Sequence, residues 1–350
     1  MNKKKIKLFG LVMMIFSTIF GFANSTVAYE QMGYGSIMWY ILAALFFFLP
    51  SALMLAEYGA AFKEAKGGIY SWLAGSVGEK IAFIGTFIWL ASWVIWLVST
   101  SNKVWIPLSA LLFGKDTTQS WNFFGLGATQ TIGLLAIIWI LGVTFFSTRG
   151  MDFVAKVGSI GGVFTIVLNV IFCVASVVIW IADHGALKQP ITSWSSFTTS
   201  PNPDFSTLVA LLSFVVYAIF AYAGMESLGG VMDDIEKPEK TFPRAVLIST
   251  LVIALSYSLM IFMWGISTNW QEVIGNNEAN LGNITYVLMD NLGVVLGQTL
   301  GLSAQTSQFF GVLMTRFAGL GMFIGYVGAF FILVYSPIKS FILGSDPKLW

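Results

Sequence analysis

The sequence predicts an all-α integral membrane protein of about eight spanning helices, the first and sixth of them interrupted. Three observations point there. Hydrophobic residues make up 57% of the 350-residue chain and charged residues only 10%, against about 25% charged in a soluble domain. Apolar stretches of about 20 residues, enough to cross a hydrocarbon core of about 30 Å as a helix, recur along the chain. Two of these stretches carry glycine and polar residues clustered in mid-span, where every backbone group must find a partner inside the protein.

The spans fall at roughly 9–31, 37–62, 82–107, 129–147, 154–183, 206–228, 245–267 and 309–335. Lys3, Lys4, Lys5 and Lys7 precede the first. No small-residue cleavage site ends that stretch cleanly, so it reads as a span and not as a signal peptide. Of the 18 cations, only Lys103, Lys115 and Lys188 fall in the loops of one side, and Arg316 lies within the last span. The others lie in the loops of the opposite side. Because cytoplasmic loops carry the excess of Lys and Arg, the N-terminus and residue 350 are expected in the cytoplasm. The formal net charge of +1 gives no reason to expect a nucleic-acid partner.

The connections are short, which suggests a single membrane domain over residues 1–350. Residues 63–80, "KEAKGGIYSWLAGSVGEK", suit either an interfacial helix or a plain amphipathic connector. The Ser-, Thr- and Pro-rich segment 184–205 reads as an irregular outer loop. Segment 268–308 mixes apolar residues at helical spacing with Gly and Asn, which predicts short amphipathic helices over the outer surface. Cys173 and His184 are single representatives of their types. An internal disulfide is therefore impossible, and a Cys/His metal site is not expected. Cys173 reads as a small core residue and His184 as a solvated loop residue.

The informative residues are those that cost free energy in lipid. The first span places Ser17, Thr18, Gly21, Asn24, Ser25 and Thr26 near its middle, and the sixth packs Gly224, Gly229 and Gly230 around Glu226. An interrupted helix presents N–H groups on one half and C=O groups on the other, with partial charges suited to the carboxylate and ammonium of an amino acid. Interruptions in corresponding positions of two halves mark transporter binding sites. The other reading is that the small residues let helices pack closely. Glu226 pays about 2.5–3.5 kcal/mol for its place in a span and should face protein or water, as a proton carrier or as a brace between helices. Arg316 either contacts a carboxylate or an anionic substrate group, or snorkels to the outer interface. Glu57 suits a structural contact with the neighbouring loop. Asp233, Asp234 and Glu236, interleaved with Lys237, Lys240 and Arg244, read as a charged cytoplasmic loop whose ion pairs close one state, or as a solvated one.

"FAYAGMES" followed by "DDIEKPEKTFPRAV", together with "AEYGAAFKEAKGGIYSWLAGSVG" at 56–78, resembles the amino acid–polyamine–organocation (APC) permeases. The resemblance implies a LeuT-like five-plus-five inverted repeat within about twelve helices. Residues 1–183 would form the first repeat and 184–350 helices six to eight of an incomplete second, the chain then ending short of helices nine and ten. It implies substrate contacts at Gly21, Phe22, Ala23 and Asn24, and at Phe220, Ala221, Tyr222, Ala223 and Gly224. It also makes Phe220 a gating aromatic and aligns Glu226 with the helix-six glutamate. Helix one departs from the pattern in keeping only Gly21 of a G-x-G pair. Thr165 falls near the place where some proton-coupled members carry lysine, which favours the exchanger branch that includes glutamate/GABA antiporters.

The expectation is a cofactor-free amino acid transporter of the bacterial cytoplasmic membrane that works by alternating access, with antiport ahead of proton symport. Phe220, Glu226 and Arg316 are the candidates for gating or coupling. The rival classes are a non-transporting amino acid sensor and an integral-membrane enzyme. An enzyme needs a nucleophile and base within reach of each other, and few candidates offer themselves.

Overall fold

The structure, a computed structural model, describes residues 5–62, 68–123, 125–275 and 279–344. Its helices are α1 (Leu8–Ile19), α2 (Phe22–Met32), α3 (Gly35–Ala61), α4 (Ile69–Val77), α5 (Glu79–Ser101), α6 (Trp105–Phe113), α7 (Ala128–Ser147), α8 (Met151–Ala182), α9 (Leu208–Phe220), α10 (Pro238–Ser267), α11 (Trp270–Val273), α12 (Ile284–Thr299) and α13 (Ala304–Gly344). Among the described residues, 7 helices are long and apolar enough to cross a membrane. They correspond to the second through eighth expected spans. The first expected span is present as two pieces of 12 and 11 residues, each shorter than a crossing requires.

Helix association in lipid rests on close packing and hydrogen bonds, since lipid tails are as apolar as leucine. The crossing of α8 with α13 shows this. A Cβ on Gly161 would lie 3.0 Å from the Gly328 Cα and from the Ile324 carbonyl oxygen, so both backbones meet at a point no larger residue fits. Outward-facing side chains of the long helices are bulky and apolar, among them Ile81, Ile95, Leu141 and Val216. In water such a surface would be a liability; here it is the lipid face.

One connection differs from its sequence reading. The segment 268–308 does not simply lie over the surface: α12 is drawn inward, with Ile284, Leu288, Met289 and Leu292 fully buried. The cause is glycine, because Gly293 and Gly297 let α12 approach the backbone of Phe310 and Ser307 on α13 too closely for any side chain. In the segment 63–80, α4 buries Trp72 against Tyr58, ring centroids 5.9 Å apart, and against the backbone of Gly229. Residues 63–67 lie outside the described ones. The segment 184–205 is irregular, as expected, apart from short 3-10 turns at Trp194–Phe197 and Pro203–Phe205. It is tied down where the Ser200 hydroxyl donates to the Gln31 carbonyl at 2.8 Å. His184 takes a left-handed backbone, φ 54°, in this segment, beside the 2.8 Å ion pair of Lys188 with Asp183.

Candidate functional site

The first interruption is short. α1 ends as Phe20 and Gly21 turn extended, with φ/ψ of −74°/109° and −103°/117°, and α2 begins at Phe22. Neither conformation demands glycine. A Cβ on Gly21 would come within 2.9 Å of the Asn24 side-chain nitrogen, so a larger residue would push that amide away from Tyr257. The second interruption follows α9, where Tyr222 N–H and Ala223 N–H make tight turns to the carbonyls of Ile219 and Phe220. Gly224 then reverses the chain at φ +117°, a region that glycine enters without a Cβ clash. A 3-10 segment, Met225–Asp234, continues from there.

The two interruptions are neighbours. A Cβ built on Gly224 would touch Thr18 and Ile19, the last turn of α1, at 3.7–3.8 Å. Between them stands Tyr257 of α10, fully buried. Its phenol oxygen accepts from Gly21 N–H at 3.0 Å and from the Asn24 side-chain amide at 2.9 Å. A hydroxyl has one proton to donate, and two carbonyls compete for it: Ile19 at 3.3 Å and Ala221 at 3.2 Å. One side chain thus serves the end of α1, the start of α2 and the end of α9.

Asn24 is the second node. Its Oδ1 accepts from the Tyr217 phenol at 3.3 Å, and its backbone carbonyl accepts from the Tyr40 phenol at 3.3 Å. Tyr222 packs edge-on against Tyr257 at 5.5 Å, donates to the Tyr40 carbonyl at 3.1 Å and stacks on Phe48 with centroids 4.7 Å apart. Phe22 packs edge-on against Phe172 and Trp264 at 5.7 and 5.9 Å. Its side chain belongs to the core, and what it offers the gap is backbone. The N–H groups of Phe22 and Ala23, at the positive end of α2, have no acceptor among the described residues.

The other expected residues stand as follows. Ala221 is buried at the turn and Ala223 half-buried. Phe220 closes α9 with its side chain 55% exposed. The Glu226 carboxylate turns back on its own loop, accepting Gly224 N–H at 3.0 Å, which is a local brace of the kind that holds a helix start. Arg316 is apart from both interruptions: it is exposed on α13 beside Gly114, the turn that ends α6. Glu57 is exposed on α3. The side chains of Asp233 and Asp234 lie outside the described residues, but Glu236 N–H donates to the Ile6 carbonyl at 2.9 Å, tying the N-terminal segment to this loop. Thr165 lines a hollow of about 20 Å³ together with Thr18, Gly161 and Gly325.

Sequence reasoning missed Tyr257, Tyr217 and Tyr40. A signal was there: "SYS" at 256–258 is a polar cluster in mid-span of the same kind as the two that were read.

An all-helical membrane bundle in which two helices are interrupted side by side, with free backbone polar groups at the gap, is the build of a membrane carrier. Comparison with known proteins makes this specific: the amino acid permease family profile matches residues 6–343, and the chain belongs to that family. It is 50% identical to the inner membrane transporter YjeM of Escherichia coli, over 99% of this chain and 69% of that protein. It is 24% identical to the aspartate/glutamate permease AcaP of Lactococcus lactis, over 99% of this chain and 66% of that one. To the glutamate/gamma-aminobutyrate antiporter of the same species it is 28% identical, over 74% of this chain and 48% of that protein.

Proposed function

We propose that the protein is a secondary active transporter that exchanges amino acids across the bacterial cytoplasmic membrane by alternating access, with an acidic amino acid or GABA among its substrates. The observation that carries this reading is the meeting of both interruptions at Tyr257. A substrate carboxylate would take the N–H groups of Phe22 and Ala23, and its ammonium the carbonyl ends of α1 and α9. Residues 1–183 act as one five-helix repeat and the remainder as part of its inverted counterpart, with both ends of the chain on the cytoplasmic side. Phe220, half-exposed at the end of α9, closes over substrate. Glu226 couples the state of the α9 turn to the bound ligand through Gly224, and Thr165, at a position where lysine would serve a proton symporter, favours exchange.

Counterflow in proteoliposomes tests this. With the full-length protein preloaded in turn with glutamate, GABA and other amino acids, internal glutamate or GABA should accelerate uptake of labelled glutamate. No acceleration by any internal amino acid, with folded protein confirmed, rejects exchange.

A further inference from the structure

Apart from the interruptions, a cavity of about 500 Å³ opens between the Gly114–Lys115–Asp116 turn after α6, one face of α12 and Thr315 of α13. Two carboxylates, Asp116 and Asp290, and one cation, Lys115, line it. Asp290 of α12 is half-buried, and its carboxylate has no hydrogen-bond or ion-pair partner among the described residues. Tyr286, one turn earlier on the same face, is only 5% exposed, and its phenol likewise has no partner there. Asp116 spends one oxygen on Thr118, accepting its N–H at 2.9 Å and its hydroxyl at 2.7 Å, and keeps the other. The cations in the neighbourhood are Lys115 and Arg316, both exposed; neither makes an ion pair with Asp116 or Asp290.

Here a phenol and a carboxylate without protein partners face the same cavity, and burial pushes the Asp290 carboxyl above its ordinary range. A ligand with several N–H donors and a positive charge can engage both groups at once. A metal ion fits poorly: calcium asks for six to eight oxygens at about 2.3–2.6 Å, and no group of three or more carboxylate, His or Cys ligands occurs among the described residues. The volume instead falls in the range of about 300–1,000 Å³ typical of small-molecule sites.

We propose that this cavity binds a primary ammonium group, held by the Asp290 carboxylate and the Tyr286 phenol, with Asp116 as a second negative charge at its mouth. The inference goes beyond the transport reading, because none of these residues lies at the interruptions.

Calorimetric titration of the purified full-length protein with n-butylammonium tests it, with tetramethylammonium as a cation that has no N–H. Butylammonium should bind more tightly than tetramethylammonium. Asp290→Asn should weaken butylammonium binding by about tenfold or more, and Tyr286→Phe, which keeps the ring, by roughly three- to tenfold. Equal affinity in the wild type and both variants overturns the proposal, as does equal binding of the two cations. Displacement of butylammonium by GABA would identify amino acids as the source of the ammonium group. Failure of GABA to displace it would identify free amines, and either result leaves the site standing.

Discussion

Gly21 and Tyr257 are 236 residues apart in sequence and joined by a 3.0 Å hydrogen bond from the glycine N–H to the tyrosine oxygen. The same phenol reaches Ala221 at 3.2 Å, so α10 holds both interruptions. A movement of α2 against α9 must exchange partners at this hydroxyl.

Tyr257→Phe keeps the ring packing against Tyr40, Phe20 and Tyr222 and removes the oxygen. Gly21 N–H and the Asn24 amide then lose their acceptor, at about 1–3 kcal/mol for each buried group left unpaired. A lower melting temperature of the purified protein and slower exchange are expected; an unchanged melt would mean water replaces the phenol.

Glu226 has a local partner, Gly224 N–H, which separates fold from charge. Glu226→Ala should cost about 0.5–2 kcal/mol, as does the loss of a capping acceptor. Glu226→Gln keeps an acceptor and should melt near the wild type while altering the pH dependence of exchange. A wild-type pH profile in the glutamine variant removes any protonation role.

Phe220 is 55% exposed and makes no ring contact among the described residues. Phe220→Ala should therefore change stability by no more than about 0.5 kcal/mol while substrate dissociates faster. Unaltered dissociation in a binding assay would deny it the part of a gate.

Asp290 gives a pH-dependent prediction with a definite sign. Its folded-state pKa is raised by burial, so the native protein binds the proton more tightly than the unfolded chain does. That contribution to stability is fully present below the ordinary carboxylate value of about 3.9 and is lost as pH rises through the folded pKa. Asp290→Asn should accordingly raise the melting temperature at pH 8 and have little effect near pH 4. A destabilised variant at pH 8 would show that the carboxylate has a favourable partner there.

The class of fold was legible without coordinates because bilayer thickness imposes a length on every crossing. It showed in the seven long apolar spans and in the polar mid-span clusters at 16–26 and 221–230. Gly21 and Gly224 stood out for the same reason: an interruption in lipid needs residues that tolerate it, and these can be read locally. What Phe22 and Tyr222 do could not be read in this way. Both sit at the interruptions in sequence, yet their rings turn into the core, against Trp264 and Phe48, because helix rotation is set by neighbouring helices and not by a residue's own segment. Arg316 reads as one more polar residue in a span; only the packing of α13 against the turn at Gly114 carries it away from the site. Tyr257 and the Asp290–Tyr286 wall were decided by tertiary structure alone, since a hydrogen-bond partner, or the lack of one, is a property of residues far apart in the chain that folding brings within about 3 Å.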